Sequence, residues 1–444
     1  MKLRRIFAPV AVVGAGPAGA TAARTLARAG VPVKLIDRYP FPRNKPCGGG
    51  ISFRVFRRFA YLAPELERIP THAVGRLYLE GPGGESTVVE SGVPVALMIR
   101  RLDFDALLVS LAVEAGAELV TGADIVQASM DADGVVLHAR DGRRFDAPVV
   151  VAADGVHSVV ARRLGLNPGW PRRSVALDMM EETARTMLRD VDPSSLWVAY
   201  GYQPAGRRAE RAERDSADTG LRGGARDARR VAEGYAYVFP KRDHVNVGIG
   251  YVLSHYREAI DRAPYDLQRE FVDELSARGV VTGTSVRGNF TPFLIPVGGP
   301  LGQPGRGRVL LAGDAGGFVN AFTAEGIYYA MVSGDLAARA VLATADRSFG
   351  QLVRRYRRSW EQEIGGELRD SVLIQRYLFA NRDRMARIIR NARRHAGTTR
   401  LILEYAGGDR SYFSLRRRLL TRYPQLAFRL MWEGAKHFAT TRSS

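Results

Sequence analysis

Val10-Ala11-Val12-Val13-Gly14-Ala15-Gly16-Pro17-Ala18-Gly19 is a short apolar run that ends in a glycine-rich turn, and it decides the fold. The Ala-rich stretch from Pro17 to Ala29 reads as a helix stopped by Gly30, and Val31 to Ile36 as a second strand that ends at Asp37. Strand, helix and strand within about 30 residues make a β–α–β unit. Without side chains at Gly14 and Gly16 the backbone can turn tightly and approach a pyrophosphate, which the N–H groups at the helix start then hold. Asp37, 23 residues beyond Gly14, is spaced to accept from ribose hydroxyls. The turn therefore predicts dinucleotide binding. The same residues imitate a secretory signal, with Lys2, Arg4 and Arg5 ahead of apolar and then small residues. The nucleotide turn is the preferred reading, and a cytoplasmic location is expected.

The chain has 444 residues, 46% of them apolar, enough for two or three domains with a sizeable core. That excludes a disordered chain and a small disulfide scaffold. A single cysteine, Cys47, excludes an internal disulfide and a four-cysteine metal site, and fits a reducing compartment. No run of 18 apolar residues is present to span a bilayer as a helix. The net charge is +19, but only 5 of the 65 basic residues are Lys, and residues 381–444 hold 15 basic and 4 acidic side chains. That tail thus carries +11 of the +19, a local excess, and nucleic acid is not an expected partner.

Further along, Phe104, Leu107, Leu108, Leu111, Ala112 and Ala115 repeat at helical spacing before Gly116. Residues 73–98 and 126–151 alternate β-branched residues with the turn pairs Gly83-Gly84, Asp133-Gly134 and Asp141-Gly142, which predicts hairpins. A second strand-rich stretch spans 174–251. It is interrupted by 205–233, which has 8 Arg, 6 acidic residues and only Leu221 and Val231 as large aliphatics. Such a segment buries too little apolar surface to offset its ordering entropy, so a mobile loop is expected, with a charged docking arm as the alternative. Arg308 to Ala312 reads as a strand, followed by a helix to about Ala343. The chain beyond Gln351 is helical and basic.

Two distant segments place Asp and Gly at a strand end: Val150-Val151-Ala152-Ala153-Asp154-Gly155-Val156-His157-Ser158 and Arg308-Val309-Leu310-Leu311-Ala312-Gly313-Asp314-Ala315. With the first turn they resemble the three fingerprints of the flavoprotein hydroxylase superfamily. Two further stretches narrow the likeness. Phe41-Pro42-Arg43-Asn44-Lys45-Pro46-Cys47-Gly48-Gly49-Gly50-Ile51-Ser52, and Tyr235-Ala236-Tyr237-Val238-Phe239-Pro240 followed by Gly248-Ile249-Gly250, resemble signatures of the geranylgeranyl reductase family. Asn320-Ala321-Phe322-Thr323-Ala324-Glu325-Gly326-Ile327 is similar to that family's loop beside the flavin, with Ala321 and Ala324 where relatives carry Pro and Gly, and Tyr237 stands where Trp is common. The likeness covers roughly residues 8–345 and extends weakly over 407–412.

The resemblance implies an α/β fold: a Rossmann-type FAD-binding domain from 1–72, 99–172 and 286–345, an inserted antiparallel β-sheet substrate domain from 73–98 and 173–285, and a helical basic region over 346–444. It implies FAD contacts from Gly14, Gly16, Pro17, Ala18, Gly19, Asp37, Arg38, Lys45, Cys47, Gly48, Gly49 and Arg101, and from Asp154, Gly155, Gly313, Asp314, Gly326 and Ile327. Asp314 would bond the ribityl chain and Asp154 would lie beside the pyrophosphate. Tyr235, Tyr237, Phe239, Pro240, Gly248, Gly250 and Phe322 would line the substrate pocket, with Cys47, Gly48, Tyr237 and Phe239 at the reacting centre. The activity implied is saturation of double bonds in a prenylated lipid, quinone or chlorophyll-type molecule.

Other readings stand beside these. The Cys47 thiol would relay a proton, or Cys47 is a small filler where a bulky residue would clash. Asp154 and Arg101 have the plain alternatives of a turn residue and a surface helix start. Seven scattered His residues show no ligand spacing, so no metal site is expected; His157 would shape the Asp154 turn and His244 a hairpin end. NADPH would bind transiently, since only one dinucleotide turn exists, or a reduced acidic carrier would dock on the basic surface. Met385, Ile388, Ile389 and Ala392 recur at helical spacing among Arg382, Arg384, Arg387, Arg390, Arg393 and Arg394, and Arg416 to Arg418 sit beside Leu415, Leu419 and Leu420. A basic amphipathic helix of this kind would lie on an anionic membrane or simply cover the flavin domain. The rivals are a flavin monooxygenase or halogenase, for which Lys241 is the lysine to test, and a non-catalytic FAD-bearing scaffold.

Overall fold

The computed structural model of the chain describes residues 9–204, 231–344 and 349–406. β1 (Val10–Val13), helix α1 (Pro17–Arg28) and β2 (Val33–Ile36) form the expected unit, the strands running parallel with Val12 opposite Leu35. All four residues of β1 are buried, as a strand covered on both faces requires. β1 lies inside a six-stranded sheet. β2 and β8 (Glu118–Val120) flank it on one side; β12 (Val150–Ala152), β21 (Val309–Leu311) and the antiparallel edge strand β20 (Gly305–Arg306) flank it on the other. The parallel strands share one direction, so Gly14, Asp37, Asp154 and Gly313-Asp314 all emerge at one carboxyl edge, where open α/β sheets bind ligands.

Helices α1, α2 (Arg101–Glu114) and α4 (Ile327–Leu342) cover one face of this sheet through Leu26, Phe104, Leu108 and Tyr329. The other face takes a three-stranded meander, β9 (Ile125–Met130), β10 (Val135–Ala139) and β11 (Arg144–Ala147), which turns at Asp133-Gly134 and Asp141-Gly142 as the sequence predicts.

A second, seven-stranded sheet runs in the order β19 (Phe290–Pro296), β13 (Val175–Ala184), β17 (His244–Val252), β16 (Gly234–Pro240), β15 (Ser195–Tyr200), β5 (Arg76–Glu80) and β6 (Ser86–Glu90). Trp197, Ala236, Val238, Val247 and Ile249 turn one of its faces toward α3 (Pro264–Ala277), meeting Leu267, Phe271 and Leu275. β3 (Gly50–Ser52), β7 (Ala96–Ile99) and β4 (Thr71–Val74) make a small sheet of their own, and β14 (Leu188–Asp190) pairs with β18 (Val281–Gly283).

Three boundaries differ from the sequence reading. β19 pairs with β13, so the segment after residue 286 begins in the large sheet rather than in the six-stranded one. β4 and β7 belong to the small sheet, not to the large one. Of the stretch 205–233, residues 205–230 lie outside the described residues, whereas Val231 and Ala232 are buried and Val231 packs against Leu378 and Phe379.

The C-terminal helices α5 (Leu352–Trp360), α6 (Gly366–Phe379), α7 (Arg382–Arg394) and α8 (Ala396–Ala406) wrap both layers. Tyr356 and Trp360 of α5 join the core under the six-stranded sheet. Met385 and Ile389 of α7 are buried with Leu378, Phe379 and Tyr200, and Arg390 pairs with Glu85 at 3.0 Å. The apolar stripe read as a membrane or flavin-domain surface thus covers the second sheet instead. Leu415 to Leu420 and the 407–412 stretch lie outside the described residues.

Candidate active site

At the carboxyl edge of the first sheet, Gly14 has φ +92° and a Cβ there would lie 2.3 Å from the Ala153 carbonyl oxygen, so only glycine fits. α1 starts at Pro17 with no side-chain cap and no acid in its first turn, which leaves the Ala18 and Gly19 N–H groups for an anion. Asp37 ties the two loops together: its Oδ2 accepts from Ala15 N–H at 2.7 Å and its Oδ1 from Tyr39 N–H at 2.9 Å. Each oxygen keeps a further lone pair for a hydroxyl. Asp154 Oδ2 accepts from Val160 N–H at 3.1 Å, but Oδ1 is buried with no hydrogen-bond partner among the described residues. Burial pushes this carboxyl up. An orphaned acceptor beside Gly14 is what a bound dinucleotide would complete.

Gly313 N–H donates to Ser333 Oγ at 2.9 Å, and a Cβ on Gly326 would lie 3.8 Å from Asp314 Oδ1, so this turn faces the start of α4 at Ile327. The sequence reading gave Arg43 no role. Its guanidinium lies 3.2 Å from Asp105 and 3.9 Å from Asp37, and 3.6 Å from where a Gly16 side chain would begin, which sets a cation across the mouth of the turn. These residues fit FAD.

The stretch from Phe41 to Ser52 crosses from this edge to the second sheet. Cys47 Sγ accepts from Gly49 N–H at 3.4 Å, and the nearby Arg101 guanidinium is held by Asp105 at 2.6 and 2.8 Å. A Cβ on Gly48 would lie 2.8 Å from the Phe239 ring, so the absence of a side chain lets that ring rest on the backbone. Tyr235, Tyr237 and Phe239 alternate along one face of β16 with ring centroids 6.0 and 4.6 Å apart. Behind them Gly248 pairs with Tyr237 and Gly250 with Tyr235; a Cβ at Gly248 would lie 2.5 Å from the Tyr237 hydroxyl. The Gly-x-Gly spacing is therefore the floor under the aromatic row. Tyr235 donates to the Thr323 carbonyl at 2.8 Å, and Phe322 stacks on Tyr200 at 5.4 Å and borders Phe379 at 6.3 Å. A continuous apolar wall runs from Gly48 to α6.

Two charged groups are buried beside this wall. Lys241 is 1% exposed, pairs with Glu182 and donates to the Cys47 carbonyl at 3.2 Å; Glu182 also takes Arg100 at 2.8 Å. Asp178 accepts from the Tyr237 hydroxyl at 3.1 and 3.4 Å, and burial pushes its carboxyl up to about 7 against the opposing pull of that hydrogen bond and of Lys45. The folded protein thus holds a proton that the unfolded chain releases near pH 4, and this contribution to stability fades as pH rises from there toward 7.

A family described as "FAD binding domain" matches residues 8–216. Digeranylgeranylglycerophospholipid reductase 1 of Methanopyrus kandleri is 31% identical over 369 residues, 80% of this chain and 86% of that protein. Menaquinone reductase of Mycobacterium tuberculosis is 32% identical over 338 residues, 74% of this chain and 76% of its own. The chain belongs to the geranylgeranyl reductase family. Among solved structures, a geranylgeranyl bacteriochlorophyll reductase-like protein of Thermoplasma acidophilum superposes with a TM-score of 0.73 over 95% of this chain and 98% of that one, at 20% identity. The protein is an FAD-dependent oxidoreductase.

Within this member of the geranylgeranyl reductase family, several residues singled out from sequence lie elsewhere. Arg38 is exposed over the Tyr39 ring at 4.9 Å. Lys45 sits 4.7 Å over the Phe293 ring of β19, toward the second sheet rather than the nucleotide turn. Pro240 shares the register positions of Ala236 and Val238, opposite the aromatic row. His157 is exposed, and Ser158 shapes the Asp154 turn by capping Ala161 N–H at 3.0 Å. His244 closes the β16–β17 hairpin, accepting from Lys241 N–H at 2.8 Å. Lys241, the lysine for a halogenase, is committed to Glu182 and the Cys47 carbonyl. Among the described residues no cluster of three or more His, Cys, Asp or Glu side chains could hold a metal, and no helix is long and apolar enough to cross a membrane.

Asp178, Arg43 and the buried Arg54 group were missed. Arg54 pairs with Glu325 and with Glu367 at 2.7 Å, which fixes the 320–326 loop against α6. A lone acid in the apolar run Val175–Met180 was the available signal for Asp178.

Proposed function

We propose that the protein saturates carbon–carbon double bonds in a polyprenyl chain carried by a lipid, quinone or chlorophyll-type molecule. The observation that carries this reading is the aromatic wall from Gly48 through Tyr237 and Tyr235 to Phe322 and Phe379, whose charged neighbours Lys241 and Asp178 are already committed to Glu182 and Tyr237. Each methylene buried along it contributes about 0.8 kcal/mol, so a prenyl chain needs no other source of affinity. The Gly14–Gly19 turn, Asp37, Arg43, Asp154 and Asp314 would hold FAD, which supplies hydride when bound and reduced. The chain's own residues orient the substrate and exclude water. NADPH bound transiently, or a reduced acidic carrier, would recharge the cofactor.

The test is anaerobic. The dithionite-reduced holoprotein is mixed with a geranylgeranyl lipid or a prenylated quinone, and flavin reoxidation is followed together with the mass of the lipid. Reoxidation with a gain of two hydrogens per bond is expected. Reoxidation only on admitting air, with an oxygenated product, would move the protein to the monooxygenase class.

Peripheral contact with an anionic membrane is part of the same proposal, since the substrate lives there. Arg387, Arg393 and Arg394 are exposed on α7, away from its buried Met385–Ile389 side. At about 1 kcal/mol per Arg near an anionic surface, replacing all three by Gln is expected to lower vesicle partitioning on the order of 100-fold. Co-sedimentation with phosphatidylglycerol vesicles at two salt concentrations reads this, and equal binding by both proteins would remove the contact from α7.

A further inference from the structure

Adding two hydrogens across a double bond needs a hydride and a proton, and the proton must reach the substrate from a group inside an apolar pocket. Two side chains near Gly48 compete for that task. The Cys47 sulfur already accepts from Gly49 N–H, its own chain neighbour, and lies beside the Arg101–Asp105 pair of the flavin-binding layer. Tyr237 is placed differently. Its ring carbon Cε2 lies 4.0 Å from where a Gly48 side chain would begin, between the rings of Tyr235 and Phe239. Its hydroxyl is buried and, among the described residues, bonded to the Asp178 carboxyl two strands away.

Among the described residues Asp178 has no backbone amide and no side-chain cation within bonding distance. Across the sheet it faces Gly250 on β17 and Phe293 on β19, neither of which carries a charge. The groups that act on it are Tyr237 and, through space, Lys45; Tyr235 and Cys47 are the other titratable side chains in the cluster. A carboxyl buried this way, with a tyrosine as its one hydrogen-bond partner among the described residues, is a proton store rather than a structural clamp.

We propose that Tyr237, backed by Asp178, delivers the proton that completes reduction of the double bond. The proposal rests on the prenyl-reductase reading and deepens it. The Tyr237 O–H bond breaks as the new C–H bond forms on one alkene carbon, while the other carbon takes the hydride, an electron pair with its hydrogen, that the reduced flavin supplies. Tyr237 recovers its proton from the Asp178 carboxyl, and Asp178 recovers its own from solvent along the half-buried Lys45 side. The substrate gains two electrons and two hydrogens, and the flavin is oxidised.

The burial that raises Asp178 to about 7 makes it a donor at neutral pH, so single-turnover reoxidation by the prenyl lipid should fall as pH rises through 7. Asp178→Asn and Tyr237→Phe should each slow that reoxidation by roughly 100-fold or more and flatten its pH dependence. Two readouts stand apart from turnover. Carbon NMR of carboxyl-labelled aspartate in the oxidised protein should show one carboxyl titrating near 7 that Asp178→Asn removes. The melting temperature of Asp178→Asn at pH 8 should equal or exceed that of the parent, which a merely structural carboxyl would not allow. If the parent protein is not reoxidised by the lipid, the prenyl-reductase reading fails. If the parent is reoxidised and both variants match it in rate and pH profile, Tyr237 and Asp178 are not the proton source. Tyr237→Phe keeps the ring and the fold, and so retains the test should Asp178→Asn fail to accumulate.

Discussion

Gly14→Ala is expected to yield a protein that purifies nearly colourless, with flavin per chain below a tenth of the parent's. The added methyl would meet the Ala153 carbonyl oxygen at 2.3 Å, the Ala153 carbonyl carbon at 2.7 Å and Asp154 Cα at 3.0 Å, all backbone that cannot rotate aside. The φ of +92° adds strain of roughly 1–3 kcal/mol for any side chain. Relief requires the turn and the β12 exit to part, which separates the start of α1 from the orphaned Asp154 Oδ1. Gly16→Ala is the control. Gly16 has φ −72°, and its Cβ would meet only the Arg43 side chain at 3.6 Å. The folded chain accepts that methyl, so its melting temperature should match the parent's, and any flavin loss would come from the cofactor's close approach alone. Flavin absorbance per protein and a melting curve for both variants separate the two effects. Retention of flavin by Gly14→Ala would mean that the cofactor does not lie on this turn.

What the sequence could and could not tell follows from the range of each interaction. The β1–α1–β2 unit and the β9–β11 meander are built from local signals, a glycine turn and two Asp-Gly pairs, and are legible residue by residue. Phe290–Pro296 is an apolar run with two prolines that suits an edge strand in either sheet, and nothing local assigns it to β13. Tyr237 and Gly248 are readable as a motif. Their partner Asp178 is not, because sheet register alone selects it, and a slip of one residue would present Met179 instead. Lys241 looks like a free lysine after Phe239-Pro240 until the fold brings Glu182 to it across 59 positions. The apolar stripe of α7 is visible as an amphipathic helix, but the surface that covers it, Leu378, Phe379 and Val231, is set by tertiary packing.

That Glu182–Lys241 pair carries the largest stability effect expected of a single substitution here. Glu182→Gln leaves a lysine 1% exposed with neutral oxygen acceptors and no opposing charge, and breaking a buried pair from one side costs about 3–5 kcal/mol. Burial alone would raise the Glu182 carboxyl, but Lys241 and Arg100 outweigh it and hold the group below its ordinary value. A carboxyl depressed in the folded state stabilises above the unfolded-chain pKa and loses that contribution as pH falls through the folded value. The gap between parent and Glu182→Gln should therefore be full at pH 7 and shrink as pH falls below about 4.5. Urea midpoints at pH 7 and pH 4 measure it. Adding Lys241→Met to Glu182→Gln removes the uncompensated charge and should recover most of the loss, because an apolar side chain suits a site that already lies against the small sheet. The double variant would also show whether the Lys241 bond to the Cys47 carbonyl matters apart from stability. Without that bond Gly48 is free to drift from the Phe239 ring, so a stable double variant should still turn over the prenyl lipid more slowly than the parent.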